Sequence, residues 1–162
     1  GSKEYNFVEL KKTEIKIDKN SNETESNDET NKSSSLNGSY ERADSTKRTS
    51  GTLEISDYNE ISFKFKIDAT HVNGADVEEG IERGAVSIGG VEGTAKKVSD
   101  GVYEYVPDEE DELMDSWEGE YKITFTKTTN NSIQIKETYD KDKHSEGPYG
   151  GHNVWFDGTY TK

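Results

Sequence analysis

The sequence predicts an all-β protein, an antiparallel closed up-and-down barrel of about eight strands behind a disordered N-terminal tail. Three observations carry this expectation. Apolar and polar residues alternate strictly in Tyr121-Lys122-Ile123-Thr124-Phe125-Thr126 and again in Ser132-Ile133-Gln134-Ile135-Lys136-Glu137. That is the period of a strand with one buried face. Such runs recur about eight or nine times at spacings of roughly 8–14 residues, as barrels require; a β-sandwich is the alternative. Finally, the domain begins with Gly38-Ser39-Tyr40-Glu41-Arg42 and ends with Gly158-Thr159-Tyr160-Thr161-Lys162, both Gly-hydroxyl-Tyr-x-base. First and last strands of matching character suggest a sheet closed on itself, with its edges paired.

Taken in order, residues 1–37 read as a tether. Gly1-Ser2 has the look of an expression scar. Residues 3–17 leave two readings open: Phe7, Leu10 and Ile17 suit a short helix, and Glu14-Ile15-Lys16-Ile17 a strand. From Asp18 to Asn37 the only large apolar residue is Leu36. Such a segment cannot offset its ordering entropy by burial, so it is expected to be a disordered linker. The barrel domain then spans 38–162. Thr52-Leu53-Glu54-Ile55 is a strand and Asp57-Tyr58-Asn59-Glu60 a turn. Ile61-Ser62-Phe63-Lys64-Phe65-Lys66-Ile67 places four apolar residues on one face. His71 to Arg83 is a polar excursion. Two runs follow, 85–88 and 90–95, with Gly89-Gly90 as a bulge or bend between them. Val102–Val106 pairs back across the turn Ser99-Asp100-Gly101. Pro107 to Glu118 is acidic and suits one helical turn over a barrel mouth. Lys127–Asn131 is the turn of the next hairpin, and Val154–Lys162 the closing run.

Leu, Ile, Val and Phe total 28 of 162 residues, below the fifth usual for a globular chain. Nine Tyr and two Trp make up the shortage, since rings bury large areas at sheet positions. A net charge of −14 argues against nucleic acid, whose phosphates need clustered Lys and Arg. It points instead to a cationic partner. With no cysteine, disulfides and thiolate metal sites are excluded, and no apolar run approaches the length of a membrane span.

The densest carboxylate group is Asp108, Glu109, Glu110, Asp111 and Glu112, followed by Asp115 beside Trp117. Charge runs ordinarily just solubilise; the functional readings are docking of a basic protein surface and, behind it, calcium binding through oxygens. Asp18 to Glu29 mimics the spacing of a calcium loop, but Glu23 stands where the turn requires glycine. His144 and His152 bracket a glycine-rich loop and read as ordinary loop histidines. Ala85-Val86-Ser87-Ile88-Gly89 is one glycine short of a nucleophile elbow. No catalytic residue, metal or cofactor is therefore expected. The remaining aromatics either line a ligand pocket or fill the core, and core filling is favoured. Alternation sets Trp155 on the face opposite Val154, Phe156 and Tyr160, so one face must expose a large ring.

Gly38-x-Tyr40-x-Arg42, Ile61-x-Phe63-x-Phe65, Gly90-x-x-Gly93-x-Ala95 and Val154-x-Phe156-Asp157-Gly158-x-Tyr160 together resemble small β-barrel domains of secreted lipoproteins from Gram-positive bacteria. The pattern is also similar, more distantly, to barrels proposed to inhibit lysozyme. The Ser-Gly-rich loop ending in Lys-Tyr of better-known inhibitors has no counterpart here. The resemblance implies a lipid-anchored or secreted protein on the extracellular face of the membrane, with residues 1–37 as tether. With no catalytic motif and a net charge of −14, the chain is expected to be a monomeric, non-enzymatic module binding a cationic protein or peptide, such as the lysozyme or antimicrobial peptide that the resemblance suggests. The candidate contact residues are Asp108 to Glu112, Asp115, Trp117 and Trp155. Lipocalin-like carriage of a lipid or glycan, and a structural envelope role without ligand, are the alternatives.

Overall fold

The structure, a computed structural model, describes residues 35–162 except 109, 116, 118 and 119. The tether expectation thus falls on residues outside the described ones, apart from its last three. Eight strands follow in sequence: β1 (Gly38–Arg42), β2 (Thr49–Asn59), β3 (Ser62–Val72), β4 (Val86–Ser99), β5 (Val102–Tyr105), β6 (Lys122–Thr129), β7 (Ser132–Thr138) and β8 (Gly158–Thr161). Each pairs antiparallel with its neighbours in chain order, and the sheet closes into a barrel. Closure rests on β8, which pairs with β7 from Ser132↔Thr161 to Ile135↔Gly158 and with β1 at Glu41↔Thr161 and Arg42↔Tyr160. The two Gly-hydroxyl-Tyr ends therefore do meet.

Alternation places the inward rows. Tyr40, Leu53, Phe63, Ile67, Ile123, Phe125, Ile133 and Tyr160 are all fully buried. Phe125 lies 5.3 Å from Phe63 and 4.7 Å from Phe65, ring centre to ring centre, and Phe63 lies 4.9 Å from Tyr103. The axis is thus filled by rings at the tilted and edge-on geometries that aromatic pairs prefer.

Several local expectations are corrected. Ile61 does not share the inward face of β3: it sits in the tight turn after β2 and is 73% exposed. The reason is that β2 runs on to Asn59 through a register shift after Ser56, with Asp57 at φ 52°. The side chain of Asn59 then accepts from the N–H groups of Ile61 and Ser62, closing the turn. The Gly89-Gly90 bend is absent. β4 runs unbroken through both glycines, opposite Ala69 and Asp68. Gly89 is small because a neighbouring loop packs on it; a Cβ there would lie 2.9 Å from Tyr149 O and from Val154 Cγ1. The polar excursion contains a short helix, α1 (Val77–Glu82), whose N-cap Asp76 accepts from the Glu79 N–H at 2.9 Å, an ordinary Asp cap. Among the described residues of 107–118 no helical turn is formed. Successive i→i+3 bonds link Asp108 O, Asp111 O and Met114 O to Asp111, Met114 and Trp117. The hairpin turn is only Asn130-Asn131, because β6 extends to Thr129. Of the closing run, Val154 and Phe156 are buried but lie outside β8.

Leu36, assigned by sequence to the linker, is 1% exposed and belongs to the core. Its carbonyl accepts from the Tyr40 hydroxyl at 2.7 Å. The barrel thus begins at least two residues before Gly38.

The two ends of the barrel differ. At one end lie three tight turns, after Asn59, Ser99 and Thr129, together with the start of β1 and the end of β8. Gly101 takes φ 69° in the second of these, a conformation glycine reaches without penalty. At the other end lie all four long connections, 43–48, 73–85, 106–121 and 139–157.

Truncating Phe125 to Ala should lower stability to urea by about 3–5 kcal/mol, the usual cost of emptying a ring from a packed core. Ile61→Ala should change it by less than about 0.5 kcal/mol, as expected for an exposed site. Comparable losses at the two positions would contradict the register described here.

Candidate functional site

The long-connection end is where charge and irregular backbone coincide. Among the described residues its four connections carry fifteen acidic and five basic side chains, so most of the net charge of −14 resides there. Connection 106–121 alone has eight acids and no base. The strands raise the connections, and a small number of buried polar contacts hold them.

The chief of these contacts is made by Glu137. It occupies the third inward position of the row Ile133, Ile135, Glu137, and is 5% exposed. Oε1 accepts from the Tyr121 hydroxyl at 2.7 Å, and Oε2 from the Phe156 N–H at 2.6 Å. The Glu137 N–H in turn donates to Asp157 Oδ1. A Cβ on Gly147 would meet Oε1 at 2.7 Å, so the glycine-rich loop closes over the carboxylate. Loss of hydration raises the Glu137 carboxyl above the ordinary range, although the donors from Phe156 and Tyr121 oppose the shift. Burial, reinforced by the adjacent carboxylate, likewise pushes the Tyr121 phenol well up. One side chain on the apolar face of β7 thus joins the end of connection 106–121 to the end of connection 139–157.

A second tie joins the two largest connections. The Tyr149 hydroxyl donates to Asp111 Oδ2 at 2.6 Å. Asp111 is therefore a structural clamp within the acidic loop rather than a free charge. Around it is an aromatic cluster: Trp117 stacks on His144 at 3.7 Å and meets Tyr139 at 6.0 Å and Tyr121 at 6.4 Å. Beside the cluster is a cleft of about 690 Å³, lined by Val106, Asp108, Met114, Trp117, Tyr121 and Lys122 among others. The Trp117 Nε1 is buried with no hydrogen-bond partner among the described residues.

The candidate residues fall into separate groups. Asp108, Glu110, Glu112 and Asp115 are exposed on connection 106–121, and Glu109 lies outside the described residues. Trp117 packs into the aromatic cluster. Trp155, 42% exposed, is elsewhere: its ring lies 5.8 Å from His71 and 5.9 Å from the Arg42 guanidinium. Its neighbours Val154 and Phe156 are buried, as alternation requires. Buried Arg42 donates to Asp44 Oδ1 at 2.7 Å and to Trp155 O at 3.3 Å, and its Nε–H bond to Asp44 holds that carboxyl below its usual range. His152 bonds Glu146 at 2.9 Å and not His144. Among the described residues, no three His, Asp or Glu side chains are grouped to hold a metal. The Ser87 hydroxyl is bonded by Asn73 Nδ2 at 2.7 Å.

Sequence reasoning missed Glu137 and the Asp111–Tyr149 tie. The first had a signal: a carboxylate in register with Ile133 and Ile135 must either face the core or break the strand. The second joins residues 38 positions apart in chain order, and nothing local marks it. Comparison with protein-family models, with curated proteins and with solved structures finds no match to this chain.

Because the Glu137 carboxyl is raised in the folded protein, the fold binds a proton there more tightly than the unfolded chain does. This contribution is then full below the ordinary carboxylate range and is lost as pH rises through the raised value. Glu137→Gln can keep both contacts, since the Tyr121 hydroxyl can accept from the amide while Phe156 N–H donates to the carbonyl. Its stability relative to the native protein should therefore rise between pH 4.5 and pH 7.5, read by urea unfolding. A pH-independent difference would contradict the burial of a titrating carboxylate at this site.

Proposed function

We propose that this barrel is a non-enzymatic binding module, the extracellular part of a lipid-anchored or secreted bacterial protein, that docks a cationic protein or peptide at its long-connection end. The resemblance to lipoprotein barrels supplies the setting, and one observation supplies the surface. That observation is the division between the two ends, with the tight turns at one and the carboxylates and exposed loop side chains at the other. Such a concentration of one charge sign steers an oppositely charged partner and fixes its orientation at encounter. Exposed Leu113 and Val106 stand among these charges, as apolar contacts do within a charged rim. A lysozyme or an antimicrobial peptide has the complementary charge. The chain enters β1 at the opposite end, where Lys162 Nζ donates to Asn37 O at 2.8 Å.

A small lipid or glycan is the second reading. The ring-filled axis leaves it no place inside the barrel, and the cleft beside Met114 and Trp117 is where it would sit.

The test is stopped-flow binding of lysozyme as a cationic probe at low salt. Reversing Asp108, Glu110 and Glu112 to Lys, with Asp111 kept because it holds Tyr149, should slow association about tenfold. The difference should shrink as salt is raised and the Debye length falls to about 3 Å near 1 M. Association indifferent to the three reversals would remove this loop as the docking surface.

A further inference from the structure

β4 is the longest strand, fourteen residues, yet β5 covers only its far end, from Lys96↔Glu104 to Ser99↔Val102. On the other side β3 pairs with β4 without interruption from Val86 to Lys96. The β5 side therefore carries no ladder over the middle of the strand, and there the Tyr105 ring packs against Gly93, where a Cβ would lie 2.5 Å from it. The upper limit of this stretch is Gly90, whose N–H donates to Tyr149 O at 3.2 Å. Its lower limit is the Lys96–Glu104 pair. Beyond Tyr105 the chain leaves the sheet through Val106 and Pro107, and proline has no N–H with which to continue a ladder.

The Gly90–Tyr149 bond also tells which way the open groups point. N–H groups alternate sides along a strand, and the Gly90 N–H points away from β3. In an unbroken strand, so do the N–H and C=O groups of Glu92 and Thr94. Among the described residues nothing pairs with them. Gly90 to Lys96 covers about 20 Å at ~3.4 Å per residue, room for an extended segment of four or five residues. A cleft of about 850 Å³ lies along this edge, lined by Glu92, Thr94, Lys96, Glu104, Asp108 and Asp111 among others. Glu104 is already paired with Lys122 at 2.8 Å and Asp111 with Tyr149, leaving Glu92 and Asp108 exposed at the rim.

We infer that the open edge of β4 between Gly90 and Lys96 accepts an extended basic segment of a partner as an added antiparallel or parallel strand. The main-chain groups of Glu92 and Thr94 supply the ladder, and Glu92 and Asp108 select lysine or arginine side chains. The inference rests on the cationic partner proposed above and adds the mode of its capture, strand addition at an unpaired edge. Glu92 stands on the outer face of β4 opposite Lys66 of β3, and a basic side chain on an added strand would face it from the other flank.

The probe is a capped six-residue peptide alternating lysine and valine, titrated into the full chain and followed by amide NMR and hydrogen exchange. A matched peptide N-methylated at alternate residues keeps the charge but loses the ladder donors. The unmodified peptide should shift and protect the amides of Glu92 and Thr94, and bind about tenfold more tightly than the methylated one. Thr94→Pro, a change edge strands tolerate, should remove that preference while the amides of β6 and β7 stay unchanged. Equal binding of both peptides, or shifts confined to Trp117 and Tyr139, would overturn the edge inference and leave the docking proposal standing. Binding of neither peptide at low salt would overturn both. Edge amides already protected in the free protein would also overturn it, and dilution would then show whether a second copy or the chain's own remainder covers them.

Discussion

An eight-stranded barrel leaves room on its axis for side chains and little more, and this chain fills that space with rings. Phe125 touches Phe63 and Phe65, and Phe63 reaches Tyr103. Tyrosine serves here in a way phenylalanine could not. The hydroxyls of Tyr40, Tyr121 and Tyr160 reach Leu36 O, Glu137 and Phe156 O at the ends of the filled axis. Each ring thus occupies core volume while its hydroxyl fastens a segment or side chain at the edge of the sheet. The same burial drives the phenols of Tyr40 and Tyr160 up to about 12. A core poor in aliphatic residues is filled here by rings whose tyrosine hydroxyls are satisfied where the barrel ends.

The two ends follow from this filling. Where the chain turns tightly, two residues suffice. Where it travels far, the connections must be tied down, and the ties are polar: Glu137 to Tyr121 and Phe156, and Tyr149 to Asp111. Burying a carboxylate carries a desolvation cost that only good donors offset. Glu137 meets this condition with an N–H and an O–H, and in return it orders connection 139–157. That connection in turn seats Tyr149 O on Gly90 and so sets the upper limit of the open edge of β4.

Legibility in the sequence followed the range of the interaction. The rows around Ile123–Phe125 and Ile133–Ile135 were plain, because an alternating run states its own buried face. The matching ends at Tyr40 and Tyr160 pointed to closure. Ile61 misled, since its place in the alternation was right but the Asp57 irregularity moved the turn onto it. Gly89-Gly90 misled in another way: glycine signals either a bend or a close approach, and only the approaching Tyr149–Val154 loop tells which. The acidic run was visible, but its division into exposed Asp108 and Glu110 and clamped Asp111 was not. Glu137 continues the inward register of Ile133 and Ile135.

By itself, then, the sequence determined the strands, their inward faces, the barrel and the acidic character of one connection. These are properties of period and composition, carried by neighbours in the chain. Tertiary structure alone decided that Leu36 belongs to the core and that all four long connections share one end. It also decided that Asp111 is spent on Tyr149 and that β4 outruns β5. Each depends on pairing between segments far apart in the chain, and no local pattern records where a distant strand stops.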